Sequence, residues 1–142
     1  VWLISILFKL NSHVYDTSGN LNNSQTTLNW NMEEDPFLPT KLASDGKIVF
    51  LDITADWCIT CKVNKLLAID TKDMNNFFKK NNVVIIKLDW TKANIKISEF
   101  LSSKNRYGIP FNEVYGPSKL YGLLLPELLS KKIIKKYINL AK

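Results

Sequence analysis

Cys58 and Cys61 are the two cysteines of this 142-residue chain, and two residues separate them. At that spacing a helical turn sets both sulfurs on one side of the backbone, within bridging reach of each other. Such a pair supports thiol–disulfide exchange. A thiolate attacks a partner's disulfide to give a mixed disulfide, and the second thiol then attacks the first sulfur and releases the reduced partner. Cys58 is the expected nucleophile and Cys61 the resolving thiol. A purely structural bridge between them would close almost no loop and hardly constrain the unfolded chain. A zinc site would need four ligands, and a lone His13 in a distant polar stretch does not complete the set. A Cu(I) or other soft-metal module is the alternative from another class, because two thiolates suit such ions.

Chemistry of this kind needs one sulfur ionised, and the flanking sequence supplies the means. Ile48-Val49-Phe50-Leu51-Asp52-Ile53 is short, branched and bounded by Asp45-Gly46-Lys47, which predicts a buried strand. Lys62 to Ala68 lacks Gly and Pro and carries apolar residues at helical spacing, which predicts a helix. Cys58 then falls at the start of that helix, where unpaired N–H groups and the positive end of the dipole stabilise a thiolate. Cys61, one helical turn further in, is expected to be the less exposed of the two and to need a base. Asp52, the single acid in an apolar strand, is the candidate, since a buried carboxyl has a raised pKa suited to proton transfer near neutrality. An exposed position on the strand is the alternative for Asp52. Pro110 follows Gly108-Ile109 ahead of a strand-like run; it either bends the chain so that the Ile109 backbone pairs with an extended substrate, or is an ordinary turn proline. Trp57 either shields the dithiol and offers a flat contact surface or belongs to the core, while Trp30 and Trp90 are expected to pack.

Composition narrows the class further. The net charge of +6 comes from lysines, with Arg106 the sole arginine, and recognition of phosphates and bases prefers the planar arginine fork; no nucleic-acid partner is expected. Val1–Leu10 is strongly apolar but short of the roughly 20 residues that span a bilayer, and it is expected to be the end of a transmembrane helix. Residues 11–29, rich in Ser, Thr and Asn, read as a flexible linker, and the folded domain is expected over 30–142. Within it, Asp35-Pro36 predicts a helix start over Phe37, Leu38 and Leu42. A helix capped by Thr71 or Asp73 follows the dithiol helix, then a strand over Val83–Leu88 and a helix from Ile95 to Lys104 with Ile97, Phe100 and Leu101 inward. Strands over Phe111–Tyr115 and Leu120–Leu125 flank a Gly116-Pro117 turn, and a last helix is capped by Ser130. Helices between the first strands argue for parallel pairing, and the tight turn for an antiparallel pair at the end.

Leu51-Asp52-Ile53-Thr54-Ala55-Asp56-Trp57-Cys58-Ile59-Thr60-Cys61-Lys62 resembles the active-site segment of thioredoxin-like domains. Its Ala-Asp-Trp-Cys form is similar to the C-terminal domain of the DsbD family of thiol:disulfide interchange proteins. Leu88-Asp89-Trp90-Thr91, Tyr107 to Pro117 and Leu124 to Leu129 extend the likeness from about Trp30 to the end. The resemblance implies an α/β fold of thioredoxin type, a central mixed sheet flanked by helices, with cis-Pro110 beside the dithiol. It implies a protein-disulfide reductase with no cofactor beyond the Cys58–Cys61 disulfide, held at the bacterial inner membrane and facing the periplasm. Its partners would be a membrane electron-transfer domain on one side and a partner redox domain and other periplasmic protein disulfides on the other. A membrane-tethered cytochrome c maturation thioredoxin is the near alternative. By the same match Asp52 takes the place of the family's buried acid. Lys65 stands where relatives often carry a second acid, and a cation there is expected to favour the thiolate.

Overall fold

The computed structural model describes residues 28–142, so the expected membrane-helix end at Val1–Leu10 and the linker up to residue 27 lie outside the described residues. No helix among the described residues is long and apolar enough to cross a membrane. Five strands form one mixed sheet: β1 (Asn31–Met32), β2 (Ile48–Thr54), β3 (Val83–Asp89), β4 (Phe111–Gly116) and β5 (Lys119–Leu124). Their spatial order is β1-β3-β2-β4-β5. β1 and β2 run parallel to β3, whereas β4 runs antiparallel to both β2 and β5. This is the central mixed sheet expected, parallel where helices intervene and antiparallel at the hairpin.

The period of two along each strand sorts side chains between two cores. Val49, Leu51 and Ile53 of β2 point to one face, with Ile86, Leu88, Phe111 and Tyr115. There α1 (Leu38–Ser44) and α4 (Ile95–Ser103) cover them through Ala43, Ile97, Phe100 and Leu101. Phe50 points the other way, with Ile85 and Val114, under α3 (Lys72–Lys80) and α5 (Lys131–Ala141), which contribute Met74, Phe78, Ile134 and Ile138. Asp52 shares the parity of Phe50 and therefore the second face. Its register partners are Lys87 on β3 and Asn112 on β4, so three polar side chains stand abreast in an otherwise apolar layer.

Side-chain caps fix the helix starts. Met74 N–H donates to Thr71 Oγ1 (3.3 Å), Ile97 N–H to Asn94 Oδ1 (3.2 Å) and Ile133 N–H to Ser130 Oγ (3.2 Å). Of the two caps expected for α3, Thr71 is the one used. Two sequence expectations need correction. Asp35 does not cap a helix: its Oδ1 accepts from Phe37 N–H at 2.9 Å, a local turn, and α1 begins after Phe37 with Pro39 in its first turn. Gly46, at φ +82°, then ends the segment as expected, in a conformation that side chains disfavour. The helix after Cys61 is not uniform, since α2 (Ile59–Asn64) passes into a wider π-helical segment, Lys65–Ile69, closed by Asp70 N–H to Lys65 C=O at 2.7 Å. Near the expected domain start, Leu28 is buried in the second core, and β1 adds an edge strand, not foreseen from sequence, paired with Ile86 and Lys87.

Candidate redox site

The site sits where β2 hands over to α2. β2 ends at Thr54, and Cys58 takes the N-cap position of α2 in an extended conformation. Its backbone N–H donates to Ala55 C=O (3.1 Å), and its own C=O accepts from Lys62 N–H (3.2 Å). Cys58 and Cys61 are joined as a disulfide with Cα atoms 5.3 Å apart. Cys61 N–H, in the first turn of the helix, points at Cys58 Sγ at 3.2 Å. A donor so placed stabilises negative charge on that sulfur when the bond is reduced. Cys61 is the deeper of the two, at 2% exposure against 6% for Cys58, so in the disulfide the first sulfur is itself nearly covered.

Ala55 and Ile109 pack against the pair. The Ile109–Pro110 peptide bond is cis, as the resemblance implied, and both residues are half-buried at the entrance to β4. Trp57 is not a core residue. It is 59% exposed, its indole N–H donates to Thr91 C=O at 3.3 Å, and its ring lies tilted on Trp90 with centroids 6.4 Å apart. Trp90 and Trp30 do pack, each half-buried against one of the two cores. Thr91 carries more of the site than its sequence context suggested. Its hydroxyl accepts from Asp56 N–H at 2.9 Å and donates to Asp89 Oδ1, while its own N–H donates to the same oxygen at 2.8 Å. Those hydrogen bonds hold Asp89 below the usual carboxylate range. The Asp89-Trp90-Thr91 loop thereby braces the Ala55-Asp56-Trp57 loop that leads into the disulfide.

Asp52 is buried at 2% exposure, not placed at an edge. Its Oδ1 accepts from Asn112 Nδ2 at 2.9 Å; its Oδ2 is buried with no hydrogen-bond partner, and Lys65 Nζ lies 3.7 Å from it. Burial raises the Asp52 pKa, while Lys65, then the Asn112 hydrogen bond, then Lys87 pull it back. Burial likewise lowers the Lys65 pKa, against the attraction of Asp52. Lys65 lies one turn beyond Cys61 on the same side of the helix, so it joins the dithiol helix to the buried acid. Asn112, the register neighbour that orients Asp52, was invisible as a site residue in sequence; the signal is a lone amide inside an apolar strand. Asn64 is similar. Buried on α2, it donates to Glu127 C=O (2.7 Å) and accepts from Leu129 N–H (2.9 Å), fastening the dithiol helix to the loop before α5.

The structure thus brings Cys58, Cys61 and Ile109 into one cluster, with Pro110 next in the chain. Trp57 stands on the rim, and Asp52 lies beneath the dithiol helix, reached through Lys65. Among the described residues no group of three or more His, Cys, Asp and Glu side chains is gathered to hold a metal ion. A family model described as thioredoxin-like matches residues 39–117. Over 72 residues, 51% of this chain, the sequence is 33% identical to the thiol:disulfide interchange protein DsbD of Vibrio cholerae, and the match spans 12% of that relative's length. The C-terminal domain of Neisseria meningitidis DsbD in its oxidised form superposes with a TM-score of 0.57 at 18% identity, covering 75% of this chain and 89% of that one. A thioredoxin from Nicotiana alata superposes with a TM-score of 0.56 at 14% identity, covering 81% and 95% respectively.

Proposed function

The chain belongs to the thioredoxin-like family, and on that premise we propose that it is a thiol–disulfide oxidoreductase that works as a reductant of protein disulfides through Cys58 and Cys61. The observation that carries the reading is the Cys61 N–H aimed at Cys58 Sγ, which favours the first sulfur as the thiolate. Cys58 attacks the partner's disulfide, and Cys61, deeper in the same turn, resolves the mixed disulfide. Asp52 accepts the proton that Cys61 must lose. Ile109, leading into cis-Pro110, presents its backbone to an extended segment of the partner, and Trp57 supplies an apolar contact on the rim.

The likeness to the DsbD sequence supports a place in an electron relay: electrons arrive from a membrane domain and leave to a partner redox domain and other periplasmic disulfides. On this reading the domain faces the periplasm from the inner membrane, and the dithiol itself is the only redox group required. Reduction of insulin or a model disulfide tests the chemistry, and equilibration with glutathione tests the direction. A reductant is expected nearer the roughly −270 mV of thioredoxin than the roughly −120 mV of a strong oxidant. Cys58→Ser is expected to abolish the activity. Stoichiometric Cu(I) binding without reductase activity would replace this reading with a metal-binding one.

A further inference from the structure

Asp52 is held unevenly. One oxygen, Oδ1, is engaged by Asn112, and the other is buried without any hydrogen bond. A bare buried carboxylate oxygen is costly unless a charge stands close to it. The Lys65 ammonium does so at 3.7 Å, near enough for an ion pair and too far to occupy the oxygen by hydrogen bonding. The Lys65 side chain keeps 21% of its surface in solvent, so it spans from the buried acid to water. The other groups facing Asp52 are Lys87 across the β2–β3 pair, Asn112 across the β2–β4 pair, and Asp70 at the end of the π-helical segment.

We propose that Lys65 is a positioning residue that acts through Asp52, keeping Oδ2 ionised and open until the resolving thiol delivers its proton. The inference rests on the roles given above to Cys61 and Asp52. In the step it serves, the Cys61 proton passes to Asp52 Oδ2 and the Cys61 thiolate attacks Cys58 Sγ. The bond from Cys58 to the partner breaks as the Cys58–Cys61 bond forms. The partner leaves as a thiolate and takes a proton from water, and Asp52 returns its own proton to solvent. The dithiol is oxidised by two electrons and the partner is reduced by two. The tendency of burial to raise the Asp52 pKa and lower that of Lys65 accords with this role, since it brings the two groups' affinities for a proton closer together. The cation therefore acts on the sulfurs by way of the acid, not as a direct neighbour of the nucleophile.

The test is the rate of mixed-disulfide resolution across about pH 5 to 9 for the native chain, Lys65→Met and Lys65→Arg, each also in an Asp52→Asn background. Losing the cation lets Asp52 stay protonated to higher pH, so Lys65→Met should move the acid limb up by about one pH unit, a tenfold slower resolution below it. Lys65→Arg should keep the native profile. In the Asp52→Asn background, Lys65→Met should produce no further shift. A shift of equal size there would mean that Lys65 acts on a cysteine directly, and it would overturn the proposal. The carboxyl of Asp52, titrated by carbon-13 NMR in the reduced protein, should move up in Lys65→Met. An unmoved titration overturns the proposal whatever the reductase activity. Absent activity in the native chain with the titration shifted would instead refute the redox reading alone.

Discussion

The two faces of the sheet each bury a lysine–carboxylate pair, and the pairs are built differently. On the face covered by α1 and α4, Glu113 of β4 is fully engaged: Lys104 Nζ lies 3.0 Å from Oε1 and the Tyr115 hydroxyl donates to Oε2. Lys104 also donates to Tyr121 C=O at 2.7 Å and sits 5.5 Å from the centroids of the Phe100 and Tyr115 rings. Burial, then the charge and hydrogen bond of Glu113, drive the Tyr115 pKa upward, so that hydroxyl remains a donor. On the dithiol face, Asp52 has one oxygen bare and its lysine 3.7 Å away. A satisfied buried network rigidifies, whereas a half-satisfied one is costly and persists where chemistry uses it. The contrast assigns the Glu113 pair to holding the hairpin against α4 and the Asp52 pair to the dithiol.

Breaking each pair should therefore give opposite results. Lys104→Met strands a charged Glu113 in the core, and a loss of about 3–5 kcal/mol in denaturant unfolding is expected, with reductase activity per folded molecule unchanged. A loss under about 1 kcal/mol, the worth of a surface pair, would erase the distinction. Asp52→Asn should do the reverse. The folded pKa of Asp52 lies above its ordinary 3.8, so its favourable contribution is present below that pH and is lost as pH rises through the folded value. Asp52→Asn is thus expected to be more stable than the native chain at pH 7, by a margin that shrinks toward acid, while resolving the mixed disulfide more slowly. Paired unfolding curves at several pH values check this, and a margin that grows toward acid would contradict it. The smallest effect sharpens the comparison from outside both pairs. Thr71→Ala removes the α3 cap and should cost about 1 kcal/mol at every pH, leaving the resolution profile in place.

What sequence reading could see follows from how each feature is encoded. The strands over Ile48–Ile53 and Val83–Leu88, the inward face Ile97, Phe100 and Leu101, and the Ser130 cap rest on local pattern, and local pattern survives in the fold. The Cys-x-x-Cys pair and the lone acid in β2 were legible because their residue types conflict with their surroundings. Contacts that depend on register were not. Asn112 meets Asp52 across 60 residues and Thr91 reaches Asp56 across 35, and neither distance has a local signature. β1 is two residues long and takes its conformation from pairing with β3, so it carries no pattern of its own. The π-helical segment after Asn64 is equally silent, because Lys65 to Ile69 would satisfy an ordinary helix just as well.

The fastening through Asn64 has a consequence for how the domain opens. Because that one amide ties α2 both to Glu127 and to Leu129, the redox turn and the approach to the C-terminal helix should loosen together as a single cooperative unit. An insertion between Leu125 and Ser130, far from either cysteine in the chain, would be felt as a change in how long the reduced turn keeps its shape.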